Sequence, residues 1–493
     1  MSDSKSSYQQ ILKATSIFGG LQVYNILMQL IRSKLVAILL GPNGMGIVGL
    51  ITSTLSIVTS LTSFGIGTSA TRNVSQANES GNADEVIKTA SILKKLVLIT
   101  GLLGTFVTLF LSPILSKLTF GNYDYTLAFA LLSVTLILGQ ISVGQTVLLQ
   151  GMRRISWLAQ AGIYSSTASF LVTIPLYYFF GIKGIVPGIL LSSVIVVIVQ
   201  NKFVQKINIQ SQYLTVKETL KNGKGILKLG FVLSLNGLVT TAASYLIRIF
   251  ISNYGNLEDV GFFNAGFAII NTYVGMVFSA MIVDYYPRLA AVSNEVEKFK
   301  NLINQQIEIS IYIISPIICA FLLLINWLVI LIYSKEFLPI VGMIQWGILG
   351  IYFKTLSWSI GILLAAKGNS KHLFWNEIIA NSYMLIFNVL GYYWGGLEGL
   401  GISFLLGYCI HLIQIYFFTK TVYQFRLTRK VLSIFIFSLV TGFLSFILTY
   451  SSEKFLFLLL NVLIFIIVLC FSLYQINKKI NLLNFIKTKL NKK

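Results

Sequence analysis

The sequence predicts an all-α polytopic membrane protein with about fourteen transmembrane helices. Apolar runs near 20 residues, the length that matches a bilayer's hydrocarbon core, recur from residue 14 to residue 474. Charged residues make up only 11% of the chain, against roughly 25% in soluble globular proteins, and the mean hydropathy is +0.80. Runs such as Leu456 to Leu469 do not alternate, which excludes a transmembrane β-barrel. With no water in the bilayer core, the spanning backbone must be helical.

The expected first lobe, residues 1–203, holds spans 14–40, 46–70, 90–112, 126–150, 155–180 and 182–203. Short turns at Gly41 to Met45 and near Gly181 separate neighbouring spans, and the polar stretch 71–89 is an inner loop. Residues 204–227, with Lys206, Lys217, Lys221 and Lys224, read as a cytoplasmic linker. The expected second lobe, 228–420, holds spans 228–251, 260–283, 309–333, 339–365, 373–394 and 397–418, with 284–308 as another inner loop. Residues 421–493 add spans 431–450 and 455–475 and a basic tail.

The two lobes repeat. Arg32 and Arg248 are 216 residues apart, as are Arg72 and Arg288. Tyr177-Tyr178 and Tyr392-Tyr393 are 215 apart, as are Gly181/Gly184 and Gly396/Gly399. Six spans per copy keep the same membrane orientation, which makes this a parallel repeat.

A net charge of +21 would suggest nucleic acid in a soluble protein, but topology explains it here, because cytoplasmic loops collect Lys and Arg. With the N-terminus inside, 29 basic residues fall inside against four outside: Lys117, Lys183, Lys335 and Lys454. Both termini are therefore expected in the cytoplasm. Residues 1–13 are polar and the first apolar run is too long for a signal-peptide core, so no cleavable signal is expected. Cys319, Cys409 and Cys470 lie inside spans and pair with neither His372 nor His411, so neither a disulfide framework nor a metal site is expected. The sequence contains no GxxxxGK[ST] loop, which argues against ATP-driven transport by this chain alone.

Four cations remain within spans: Arg32, Lys34, Arg248 and Lys354. Each costs about 2.5–3.5 kcal/mol near a helix centre, so it should face a partner or a wet cavity. On span 1, Gln22, Asn25, Gln29 and Arg32 share one helical face, being spaced by three and four. On span 7, Ser234, Gly237, Thr241, Ser244 and Arg248 do the same, and span 8 adds Asn264 and Asn271 on one side. Lys354 sits near the middle of span 10. Lys34 and Arg248 lie near the outer interface, where snorkelling to the headgroups is the competing reading. For the Asn, Gln, Ser and Thr residues, helix–helix glue competes with a binding role. No acid occupies a mid-span position; Asp284, Glu308 and Glu377 come closest, at helix ends. Cations without deep carboxylates suit an anionic substrate, and Arg holds phosphate oxygens bidentately. Tyr177, Tyr178, Tyr392, Tyr393 and Trp394 read as an interfacial aromatic belt.

The turn Gly41-Pro42-Asn43-Gly44-Met45-Gly46, the stretch Phe64-Gly65-Ile66-Gly67 and the segment Asp284-Tyr285-Tyr286-Pro287-Arg288-Leu289 resemble the O-antigen translocases. These belong to the multidrug/oligosaccharidyl-lipid/polysaccharide exporter superfamily, and the resemblance covers roughly residues 10–420. It implies a flippase for undecaprenyl-pyrophosphate-linked oligosaccharide in a bacterial inner membrane, with two six-helix lobes around a cationic cavity. It also implies that Arg32 and Arg248 are the cavity cations, with Lys354 added. The candidate binding set is completed by Lys34, Gln29, Asn25, Asn264 and Asn271. Membrane lipid, a polysaccharide polymerase and chain-length proteins are the candidate partners; nucleic acid, cofactor and metal are not expected. Spans 13 and 14 are similar to those of lipid II flippases, which stand as an alternative. A multidrug or cation antiporter of the same superfamily is another, against which the lack of a deep carboxylate counts. A membrane glycan polymerase or glycosyltransferase would need a sizeable outer loop, and the outer loops carry only scattered charges such as Glu258-Asp259.

Overall fold

The computed structural model describes residues 2–210, 212–451 and 455–480, with side chains described from residue 24 onward except at 236, 273, 451 and 480. Among these residues there is no strand. The helices are α1 (Ser2–Thr62), α2 (Ile66–Glu79), α3 (Ala83–Phe120), α4 (Thr126–Leu132), α5 (Val134–Gly151), α6 (Ile155–Phe180), α7 (Ile185–Gln205) and α8 (Val216–Tyr254). They continue with α9 (Leu257–Ala268), α10 (Met276–Val292), α11 (Val296–Ile332), α12 (Val341–Ala366), α13 (Ser370–Tyr423), α14 (Arg429–Ser451) and α15 (Phe455–Ile480).

Among the described residues, ten helical stretches are long and apolar enough to cross a membrane, fewer than fourteen because several run on through a glycine. Gly41 (φ 62°), Gly181 (φ 54°) and Gly396 (φ 54°) take left-handed backbone conformations inside such stretches. Each divides one long helix into two passages, since only glycine adopts that conformation without a Cβ clash. Gly181 and Gly396 share the same backbone, with ψ of −132° and −135°, so the repeat extends to dihedral angles. The bent pair Val216–Leu235 and Gly237–Tyr254, angled at 49°, supplies one further passage. The protein is a multi-pass membrane protein, and these breaks make the helix inventory compatible with fourteen passages.

Several boundaries differ from expectation. The second span ends at Thr62 rather than residue 70, because Phe64 (φ 49°) and Gly65 (φ 60°) turn the chain into the separate amphipathic α2. The polar stretches 71–89 and 284–308 are mostly helix, running through α2 and α3 and through α10 and α11. The linker narrows to the residues between Gln205 and Val216. Its later lysines ride on α8, whose start is fixed by a capping box between Thr215 and Glu218, which satisfies the orphan N–H groups of the first turn.

The chain forms two compact units, Met1–Gly261 and Phe262–Lys493. In the first, Ile66, Ala70 and Val74 of α2 pack with Leu93, Leu96 and Val97 of α3, Val147 and Leu148 of α5, and Ile226 of α8. Helix α8, expected to open the second lobe, thus packs here on α2 and α3, and also on α1. In the second unit, α11 buries Ile303, Ile307, Ile311, Ile314, Ile318 and Leu322, a three/four spacing that keeps one face inward along its length. Helices α14 and α15 pack on α11, where the buried Glu308 carboxylate receives Lys430 (3.1 Å) and Lys479. The C-terminal lysines beyond residue 480 lie outside the described residues.

Candidate functional site

The polar face of α1 opens on a cavity in the first unit. Asn25, Gln29 and Arg32 form one wall of a space of ≈ 680 Å³; the side chain of Gln22 lies outside the described residues. The facing walls are hydroxyl-rich: Ser165, Ser166 and Ser169 on α6, and Ser192, Ser193 and Gln200 on α7. Gln200 is held by a 2.8 Å bond from the Ser142 hydroxyl. The Ser165 and Ser169 hydroxyls are buried and have no partner among the described residues. Among the described residues, none that lines this space is acidic. The Tyr177 hydroxyl lies beside the Arg32 guanidinium, whose five N–H groups leave donors for a ligand. The cavity can therefore offer hydroxyls, carboxamides and one fixed positive charge to an anionic polyol.

Lys34 does not line this cavity. Two residues along a helix turn the side chain through about 200°, which carries it away from the Arg32 face. Arg248 is partly buried and folds back on its own helix, where Nη1 donates to the Ser244 carbonyl at 2.6 Å and to its hydroxyl. The stripe beneath it is also engaged locally: Thr241 bonds the Gly237 carbonyl at 2.8 Å and Ser234 that of Phe231 at 3.0 Å.

In the second unit two of the expected residues meet. Lys354 Nζ donates to Asn271 Oδ1 at 2.7 Å and lies over the rings of Tyr408 (5.2 Å), Phe404 (5.8 Å) and Phe278 (5.9 Å). Asn271 stands on a one-turn π-helix, Ile269–Val274, a distortion often found at functional positions. Asn264, half-buried on α9, is not part of this contact. The rings and the amide oxygen hold the ammonium, and no carboxylate among the described residues pairs with it. Asn271→Asp is expected to neutralise Lys354 and lower transport while keeping the fold. Asn271→Leu is expected to lose about 1 kcal/mol or less of stability, because the bond it removes is exposed to solvent. Thermal midpoints in detergent and translocation rates, measured side by side, separate the two outcomes.

The deepest acids do not line the polar cavity of the first unit. Glu308 is paired with lysines, Asp284 with Arg288 (2.9 Å), and Glu377 accepts from Asn381 at 3.3 Å. The aromatic belt needs correction. Tyr178, Tyr393 and Trp394 are exposed, but Tyr177 is 2% and Tyr392 5% exposed; the Tyr177 ring packs against Gly188 of α7. The serines of α6 and α7 were missed from sequence, although Ser165/Ser169 and Ser192/Val196/Gln200 recur at a four-residue spacing that marks one helical face.

A sequence model of the family described as polysaccharide biosynthesis protein matches residues 35–342, while no curated protein matches the sequence. Among solved structures, an inward-facing multidrug resistance MATE family transporter of the MOP superfamily superposes with a TM-score of 0.67 at 16% identity. That match covers 84% of this chain and 95% of the transporter. The lipid II flippase MurJ, in an inward closed conformation, gives 0.60 at 15% identity over 88% and 97%. A MOP superfamily transporter from Pyrococcus furiosus, described as having a binding pocket of reverse polarity, gives 0.55 at 19% identity over 84% and 95%. At these identities the likeness establishes the fold, while the sequence match goes further: the chain belongs to the polysaccharide biosynthesis protein family.

Proposed function

We propose that this protein is a flippase that moves an undecaprenyl-pyrophosphate-linked oligosaccharide from the cytoplasmic to the outer leaflet of the bacterial cytoplasmic membrane by alternating access. The observation that carries this reading is the cavity walled by Arg32, carboxamides and serine hydroxyls, with no acid among the described residues of its lining. Sugar hydroxyls match the serines and amides, and a pyrophosphate matches a guanidinium that can bond two oxygens at once. Lys354, held by an amide and aromatic rings rather than by a carboxylate, adds a second cation of the same character. Membership of a polysaccharide biosynthesis family and the MOP fold are consistent with this cargo. Both termini lie in the cytoplasm on the charge rule. An inside-negative potential then favours outward movement of a net anion by about 2.3 kcal/mol per charge per 100 mV.

The test is purified protein in liposomes carrying a fluorescent polyprenyl-pyrophosphate oligosaccharide, with an impermeant quencher outside. Faster loss of protected fluorescence than in empty liposomes is expected. Equal rates in the two preparations, or export of a cationic dye instead, would overturn the assignment in favour of a drug transporter or a different role.

A further inference from the structure

We propose that a second cavity, at the basic end of the first unit, binds a phosphodiester headgroup bearing a free hydroxyl, the chemistry of an anionic glycerophospholipid such as phosphatidylglycerol. The cavity encloses ≈ 600 Å³ and shares no lining residue with the Arg32 site. Its polar side is built from Lys94 on α3, Gln145 on α5, and Asn201, Gln205 and Asn208 at the end of α7 and just beyond. Its other side is apolar, with Val97, Leu98, Ile141 and Leu148.

Two groups here lack the partners that their burial and charge call for. Gln145 is 7% exposed; its Nε2 donates to the Val197 carbonyl at 3.2 Å, and its Oε1 has no partner among the described residues. A buried acceptor left in that state costs about 1–3 kcal/mol, so the site calls for a hydroxyl or N–H donor. Lys94 makes no ion pair or hydrogen bond among the described residues. Its neighbour Lys95 is already committed, donating to the Leu214 carbonyl and lying over the Tyr213 ring. The ammonium of Lys94 therefore remains for a ligand anion. A single ligand that meets all three walls carries an anion for Lys94, a hydroxyl for Gln145 and a hydrocarbon chain for the apolar side. A glycerol phosphodiester with acyl chains carries all three, the phosphate lying between the headgroup hydroxyls and the acyl chains. Inorganic phosphate offers nothing to the apolar side, and a choline headgroup offers Gln145 no donor. Lys88, Arg153, Arg154, Lys202 and Lys206 belong to the same end of the chain's topology, the end that the charge rule assigns to the cytoplasmic leaflet.

The experiment uses the full-length protein in nanodiscs of phosphatidylcholine, with or without phosphatidylglycerol, followed by native mass spectrometry and thermal denaturation. Selective retention of one phosphatidylglycerol with a raised thermal midpoint is expected. Lys94→Ala and Gln145→Leu should each cut that retention about tenfold, and Lys88→Ala, an exposed lysine outside the cavity, should not. Equal retention of both lipids by the wild type, or unchanged retention in both cavity variants, overturns the proposal. So does stabilisation by inorganic phosphate in detergent equal to that by the lipid, which would make free phosphate the ligand. None of these readouts depends on translocation, so the result stands apart from the flippase assignment.

Discussion

Arg32→Ala is expected to lower glycolipid translocation about 10- to 100-fold with protein level unchanged, because it removes the only cation among the described residues that line the ≈ 680 Å³ polar cavity. The range follows from the roughly 1.5–3 kcal/mol carried by a hydrogen bond to a charged group. Folding should be little affected, since the Arg32 side chain is largely exposed to the cavity and the Tyr177 hydroxyl is the neighbour it would leave. Arg32→Lys keeps the charge but loses the bidentate fork, so an intermediate rate is expected. Lys34→Ala is the matched control: the same helix, the same charge, two residues away and outside the cavity. Normal transport by Arg32→Ala, or equal losses in the Arg32 and Lys34 variants, would show that this cavity does not hold the anion. The liposome assay and glycan display in cells both read the difference.

How much of this was legible in sequence depends on the range of the interaction. The α1 face of Asn25, Gln29 and Arg32 was legible because a helix converts spacing directly into direction, and the structure puts all three on one cavity. The glycine pair Gly181 and Gly396 was legible as a repeat, and both glycines have the same broken backbone. Lys354 and Asn271 were each visible as polar residues in an apolar setting, but 83 residues separate them. Only tertiary packing brings the amide oxygen to the ammonium. Arg248 was read as the equivalent of Arg32 from its position in the repeat. Its bonds to Ser244 depend on the rotamer, which spacing does not determine. The end of the second span was misplaced for a related reason: Phe64-Gly65 is apolar enough to continue a helix, and the turn there follows from a contact with a distant glycine.

That contact yields the largest expected effect on stability. A Cβ at Gly230 would lie 2.3 Å from the Phe64 carbonyl oxygen, and a Cβ at Gly65 would lie 2.1 Å from the Gly230 carbonyl oxygen. Both obstacles are backbone, so no side chain can rotate away, and Gly65 also needs its left-handed φ of 60°. Helix α8 can rest on the corner between α1 and α2 only if both positions lack a side chain. The same device recurs nearby, where a Cβ at Gly261 would meet the Pro42 carbonyl oxygen at 1.9 Å. Gly230→Val must therefore push α8 off that corner. A loss of about 3 kcal/mol or more is expected, at the upper end for overpacking a well-filled site. Gly225→Ala tests the same helix where nothing lies within 4 Å, and it should be neutral or stabilising by up to about 1 kcal/mol through helix propensity. The comparison is made by thermal unfolding followed on a sizing column. If Gly230→Val melts with the wild type, α8 does not need the glycine contact and the turn at Phe64-Gly65 has another cause. If it melts early while Gly225→Ala does not, steric closeness of two backbones rather than general intolerance of α8 explains the loss.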